Sequence, residues 1–164
     1  MAEKHEEIME MEKDTQKGKY LTFLLDKETY AIEIKFVTEI IGIQPITEVP
    51  ELPAYVKGII NLRGKIIPVM DVRLRFKKKA MEYNDRTCII VIEVKDISIG
   101  LIVDNVSEVL SIADDDIVPL PDMNKGTENR YIKAIGKVDK EVKLILDCEK
   151  LINDDDAETI GQII

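Results

Sequence analysis

Three aspartates, Asp71, Asp104 and Asp147, each close a run of apolar residues, and three carboxylates are a donor set that could hold a divalent cation. At a strand end the same side chain also accepts hydrogen bonds from amides two or three residues on, and no oxygen-ligand loop pattern surrounds any of them. They are expected to cap turns. The acidic runs 114–116 and 154–156 lack the bend glycine of an EF-hand loop and read as solvated loops. The one histidine, His5, lies in the charged stretch 1–19, which excludes a core histidine base, a histidine-dependent nucleophile triad and a multi-histidine zinc site. Cys88 and Cys148, sixty positions apart, are expected to be two reduced, buried side chains. The glycines form neither a G-x-G-x-x-G pattern nor a phosphate loop, and no serine stands in a G-x-S-x-G context. No catalytic group, metal or cofactor is expected.

The chain has 164 residues and a net charge of −9, with 45% apolar and 34% charged residues. A chain of this size buries about two thirds of its unfolded surface, so it needs neither disulfide nor metal to fold. Its charge repels phosphate backbones and anionic lipids, which argues against nucleic acid or bare membrane as a partner. No apolar run approaches the roughly 18 residues of a membrane span, and the acidic N-terminal stretch lacks a signal-peptide layout. A cytoplasmic protein is expected.

From Tyr20 onward, short apolar stretches alternate with turn residues, the pattern of an all-β barrel or sandwich. Hairpins are expected over 20–34, 56–70, 87–103 and 131–146. Pro68 lacks an amide donor, so its strand should lie at an edge or carry a bulge. Val37, Ile40 and Ile41 have helical spacing, as do Val106, Val109 and Leu110, and short helical turns are expected there. The stretch 1–17 offers no apolar face and reads as a flexible charged tail, 156–164 as a C-terminal tail.

The pattern repeats. Val37-Thr38-Glu39-Ile40-Ile41 matches Val106-Ser107-Glu108-Val109-Leu110 at an offset of 69, and Tyr55-Val56-Lys57-Gly58-Ile59 matches Tyr131-Ile132-Lys133-Ala134-Ile135 at an offset of 76. The difference is an insertion between Ala113 and Arg130. Two related all-β units, about 20–76 and about 89–152, would each have a thin core and should share an apolar seam. The repeat isolates Arg63: one hairpin turns through Asn61-Leu62-Arg63-Gly64, its counterpart through Lys137-Val138-Asp139-Lys140. A loop arginine is commonly just solvated. The apolar Leu62 beside it suggests that something covers this tip, and a partner surface would do so.

The stretch 56–73, VKGIINLRGKIIPVMDVR, resembles the signature of the CheW family of bacterial chemotaxis coupling proteins. So do Tyr30-Ala31-Ile32-Glu33-Ile34 followed by Val37-Thr38-Glu39-Ile40, and Gly100-Leu101-Ile102-Val103-Asp104-Asn105-Val106. The resemblance spans about 18–155. It departs from common members at Met70, where Ile or Val is usual, and at Ala134, often Gly. It implies all-β architecture with short helices: two pseudo-repeated SH3-like or OB-like five-stranded barrels packed together, with strands possibly exchanged between halves. It also implies an adaptor without catalysis, which binds the cytoplasmic tips of methyl-accepting chemotaxis receptors and the regulatory domain of the histidine kinase CheA. Such a protein would be recruited to receptor arrays at the inner face of the cell membrane. Carried over by motif, Val37, Glu39, Gly58, Arg63, Gly64 and Val109 would line the receptor-binding region. Kinase contacts are expected on exposed barrel ends.

Two other function classes fit the sequence less well. An OB-type oligonucleotide binder needs stacking aromatics and a basic groove, against 5% aromatics, no Trp and a negative charge here. A metal-dependent hydrolase needs carboxylates converging on one pocket, whereas the repeat spreads them over equivalent strand ends.

Overall fold

β-Branched and aromatic residues dominate the short apolar stretches, and most of the turns between them hold a residue with positive φ: Asp26, Arg63 with Gly64, Lys95 with Asp96, and Asp139. The computed structural model describes residues 17–120 and 130–152. The expected tails fall almost wholly outside this range. The strands run β1 (Lys19–Leu25), β2 (Glu28–Glu33), β3 (Val37–Gly42), β4 (Val56–Leu62), β5 (Lys65–Asp71), β6 (Cys88–Val94), β7 (Ile97–Val103), β8 (Asn105–Ser111), β9 (Ile117–Pro119), β10 (Ile132–Val138) and β11 (Glu141–Leu146). Two one-turn helices, α1 (Val72–Arg75) and α2 (Cys148–Leu151), follow β5 and β11.

The strands form a five-stranded sheet, β3-β6-β7-β5-β4, and a six-stranded sheet, β8-β1-β2-β11-β10-β9. Each half lends a hairpin to the other. β1–β2 lies between β8 and β11, and β6–β7 lies between β3 and β5. The two insertions are made alike: β1 pairs antiparallel with β8 as β6 does with β3, and β2 pairs parallel with β11 as β7 does with β5. The sixth strand has a counterpart too. Val118 of β9 pairs with Ile135, and at the equivalent place in the first half Thr47 forms an isolated bridge with Ile59.

The lent hairpins are buried on both faces, which is why their strands read as nearly continuous apolar runs. In β6, Ile90, Ile92 and Val94 face the largest cluster, and Ile89 and Val91 face a smaller one with Ile60, Ile67, Val69 and Ile102. In β1, Leu21, Phe23 and Leu25 join the large cluster, and Tyr20 faces a third with Ala31, Ile112, Ala134 and Ile145. The large cluster is the shared seam between the halves. Phe76, just past α1, fills its middle, with ring centroids 5.5 Å from Tyr30 and 5.7 Å from Tyr131.

Some expectations need correction. The segments with helical spacing, around Val37 and Val109, are strands β3 and β8. Their β-branched residues suit a pleated surface; a one-residue slip blurs the alternation in β8, while in β3 burial alternates but Glu39 takes a partly buried position and Ile40 an exposed one. Thr38 sits at the slip in β3 and donates its hydroxyl to the Val91 carbonyl at 3.0 Å. Pro68 is not on an edge strand, because β5 lies between β4 and β7. Ile59, its partner on β4, directs both its amide and carbonyl to Thr47, so the side of Pro68 that lacks a donor faces β7. The ladder with β7 starts one residue later, at Val69. Cys148 is buried as expected, but Cys88 is only half-buried.

Candidate functional site

β3 and β4 are the two edges of the five-stranded sheet, and the sheet curls until they approach each other. Contacts reach across the gap from β3 and from the segment that follows it. Thr47 and Ile59 exchange both backbone hydrogen bonds at 2.9 Å. Farther along, at the β4–β5 tip, the Arg63 guanidinium donates to the Glu39 carboxylate on β3. Leu62 pairs with Lys65, so Arg63 and Gly64 alone form the turn, both with positive φ. That combination fits a two-residue hairpin connection, and Gly64 donates its amide to Asn61 Oδ1 at 2.8 Å.

Between these edges lies a cleft of about 330 Å³, lined by Thr38, Glu39, Leu62, Arg63, Lys65 and Ile67 among others. Leu62, Ile67 and Val91 give it apolar lining, and Glu39, Arg63, Lys65 and Glu93 charged lining. The Arg63 side chain is 70% exposed and that of Glu39 30%, so the pair is solvated and contributes about 0–1 kcal/mol. Its effect is placement: the guanidinium is held over the mouth of the barrel. The equivalent positions in the other half are Asp139 and Glu108, two acids that cannot pair.

The predicted site residues divide. Glu39 and Arg63 come together. Val37 is partly buried against the central seam, so little of it is offered to a partner. Gly58 is buried in the β4 irregularity beside Thr47, which gives it a structural reason to be glycine. Gly64 shapes the turn. Val109 lies on β8, the edge of the other sheet, and is 54% exposed; its counterpart on β3, Ile40, is 43% exposed. Sequence reasoning passed over Ile40, although the repeat aligns it with Val109. Leu62 packs against the first barrel's inner cluster, so its apolar character needs no partner to explain it.

The strand-end aspartates have separate tasks. Asp71 accepts from the Leu74 amide at 3.3 Å and from the Tyr83 hydroxyl at 2.7 Å. Burial, together with the Asp71 carboxylate, pushes the Tyr83 phenol up. Asp147 accepts from the amides of Glu149 and Lys150 at 3.0 and 3.1 Å. Asp104 departs from the expected cap and holds Arg73 through both oxygens at 2.5 Å. Burial alone would raise the Asp104 carboxyl, but Arg73 and the Asp26 amide outweigh it and hold it below the ordinary range. Among the described residues no group of three or more His, Cys, Asp and Glu could hold a metal ion. No described helix is long and apolar enough to cross a membrane.

Known proteins resemble this arrangement along most of its length. The family model for the CheW-like domain matches residues 19–156. The chemotaxis protein CheW of Klebsiella aerogenes is 31% identical over 150 residues, 92% of this chain and 90% of that protein. The chemotaxis protein CheW of Helicobacter pylori is 34% identical over 136 residues, 83% of this chain and 82% of that one. Among solved structures, the scaffolding protein TtCheW of Thermoanaerobacter tengcongensis superposes with a TM-score of 0.78 at 34% identity, covering 85% of this chain and 94% of that one.

Proposed function

The chain belongs to the CheW-like family of chemotaxis scaffold proteins, and from that membership we propose that it couples methyl-accepting chemoreceptors to the histidine kinase CheA. It does so as an adaptor without chemistry of its own, holding receptor tip and kinase regulatory domain together so that receptor state controls autophosphorylation. The unit that acts is residues 18–155, and its place is the cytoplasmic face of receptor arrays.

The observation that supports this reading best is the Glu39–Arg63 pair over the first barrel's mouth. Arginine beside apolar surface is the composition of a binding hot spot. A receptor tip is a helical hairpin, and a helix laid along the cleft would place apolar residues against Leu62 and polar ones against Arg63. Val109 and Ile40, exposed on the edges of the two sheets, supply further apolar surface. The test is capture of the protein on an immobilised receptor cytoplasmic fragment, with and without the kinase regulatory domain. Retention by the receptor alone, strengthened by the kinase domain, supports the proposal. No retention by either rejects it.

A further inference from the structure

The chain passes between the sheets twice through equivalent short connections. One carries β2 of the six-stranded sheet into β3 of the five-stranded sheet, through Ile34–Phe36. The other carries β7 of the five-stranded sheet into β8 of the six-stranded sheet, through Asp104 alone. The two are not held alike. At the second, Arg73 of α1 is 7% exposed and binds Asp104 through Nε and Nη2. Its Nη2 also donates to Asp26 in the β1–β2 turn, and its Nη1 donates to the Lys79 carbonyl at 3.0 Å. Asp104 in turn accepts the Asp26 amide at 2.9 Å. One guanidinium thus ties α1, the β7–β8 crossing, the tip of the lent hairpin and the loop that joins the halves.

The repeat places Lys35, Glu149 and Lys95 where Asp104, Arg73 and Asp26 stand, so every sign is reversed. Those reversed charges are spread out. Lys35 is 62% exposed and pairs with its neighbour Glu33 at 3.3 Å, and among the described residues neither Glu149 nor Lys95 forms an ion pair. The seam between the sheets is apolar, and apolar contact is non-directional: it favours burial without fixing an angle. A buried, multiply bonded guanidinium is directional.

We propose that Arg73 is a latch that fixes the angle between the two sheets at the β7–β8 crossing and leaves the β2–β3 crossing as the compliant one. It is a positioning residue, because β8 and its Val109 spring directly from Asp104.

The experiment places nitroxide labels at Glu93→Cys on β6 and Lys137→Cys on β10 in a Cys88→Ser background and reads their distance distribution. Arg73→Met leaves the partly buried Asp104 without its cation and can fail to fold, so the deciding variant is Arg73→Met with Asp104→Asn, which leaves no unpaired charge at that position. A shifted, broader distribution than in the parent, with faster exchange of the Asp26 amide, supports the latch. A parent-like distribution in the double variant means that the seam alone sets the angle, and overturns it. Glu149→Gln is the control and leaves the distribution unchanged; broadening there equal to the double variant's would equally overturn the assignment. A second arm rests on the proposed function: receptor-fragment affinity of the unlabelled double variant falls several-fold. If the unaltered protein binds no receptor, that reading fails while the label distances still judge the latch.

Discussion

A Cβ built on Gly58 would stand 2.1 Å from the Thr47 carbonyl oxygen, and the residue holds φ at +147°. Any side chain there must push apart the Thr47–Ile59 bridge, which ties the segment after β3 to β4. Gly58→Ala is expected to destabilise the fold by about 3 kcal/mol or more, measured by denaturant unfolding. Gly64, with φ at +86° and nothing near its Cβ position, should cost only about 1–2 kcal/mol on the same change. Equal losses at the two positions would refute the role given to Thr47.

Arg63→Ala removes an exposed side chain and opens no cavity, so its unfolding curve should stay within about 0.5 kcal/mol of the parent. Under the proposed function, its affinity for a receptor fragment should fall roughly thirtyfold, about 2 kcal/mol. Arg63→Lys keeps the charge but loses the planar fork and should restore only part of this. Parent-like binding by Arg63→Ala would reduce Arg63 to a solvated turn residue.

Acid should weaken the fold through Asp104. Arg73 on α1, the Asp26 amide in the β1–β2 turn and Lys78 in the following loop hold its carboxyl low against the upward push of burial. A carboxyl lower in the folded than in the unfolded chain contributes stability that is complete above the ordinary aspartate value, about 3.9. That contribution is lost as pH falls from there through the lower folded value. Stability measured from pH 6 downward should drop less steeply in Asp104→Asn than in the parent. Parallel slopes would contradict the assignment.

The two thiols should separate by reactivity. Burial, helped by the Glu33 charge, pushes the Cys148 thiol up to about 12, so almost no thiolate exists near pH 8. Cys88 is half-buried near the start of β6, its Sγ donating to the Arg86 carbonyl at 3.2 Å. Titration with a thiol reagent at pH 8 should label Cys88 in the native protein and both cysteines after denaturation. Fast native labelling of Cys148 would show that α2 opens readily.

The hairpins and the repeat were legible because turn residues and apolar runs are local signals. Val37, Ile40 and Ile41 misled because β3 alternates in burial but holds Glu39 at a partly buried position and the apolar Ile40 at an exposed one, so its apolar residues fall at a helical period. The sequence leaves exchange of the hairpins open, because strand patterns state which face is buried but never which neighbour pairs. Arg63 stood out because its counterpart is Asp139. Arg73 did not, although Glu149 at the equivalent position reverses its charge. An arginine inside a run of Val, Leu and Phe gives no local hint that it bonds Asp26 and Asp104, 47 and 31 positions away.

Lending hairpins also orders the birth of the molecule. A ribosome extrudes the N-terminal end first, at about 5–20 residues per second. The hairpin β1–β2 emerges long before β8 and β11, the strands it must join, and β3–β5 wait for β6–β7. Neither sheet can be completed by the residues of its own half. The nascent chain therefore carries unpaired strand edges until β11 has been made, and the hairpin 19–33, whose second neighbour is β11, is the one to shield from other chains in that interval.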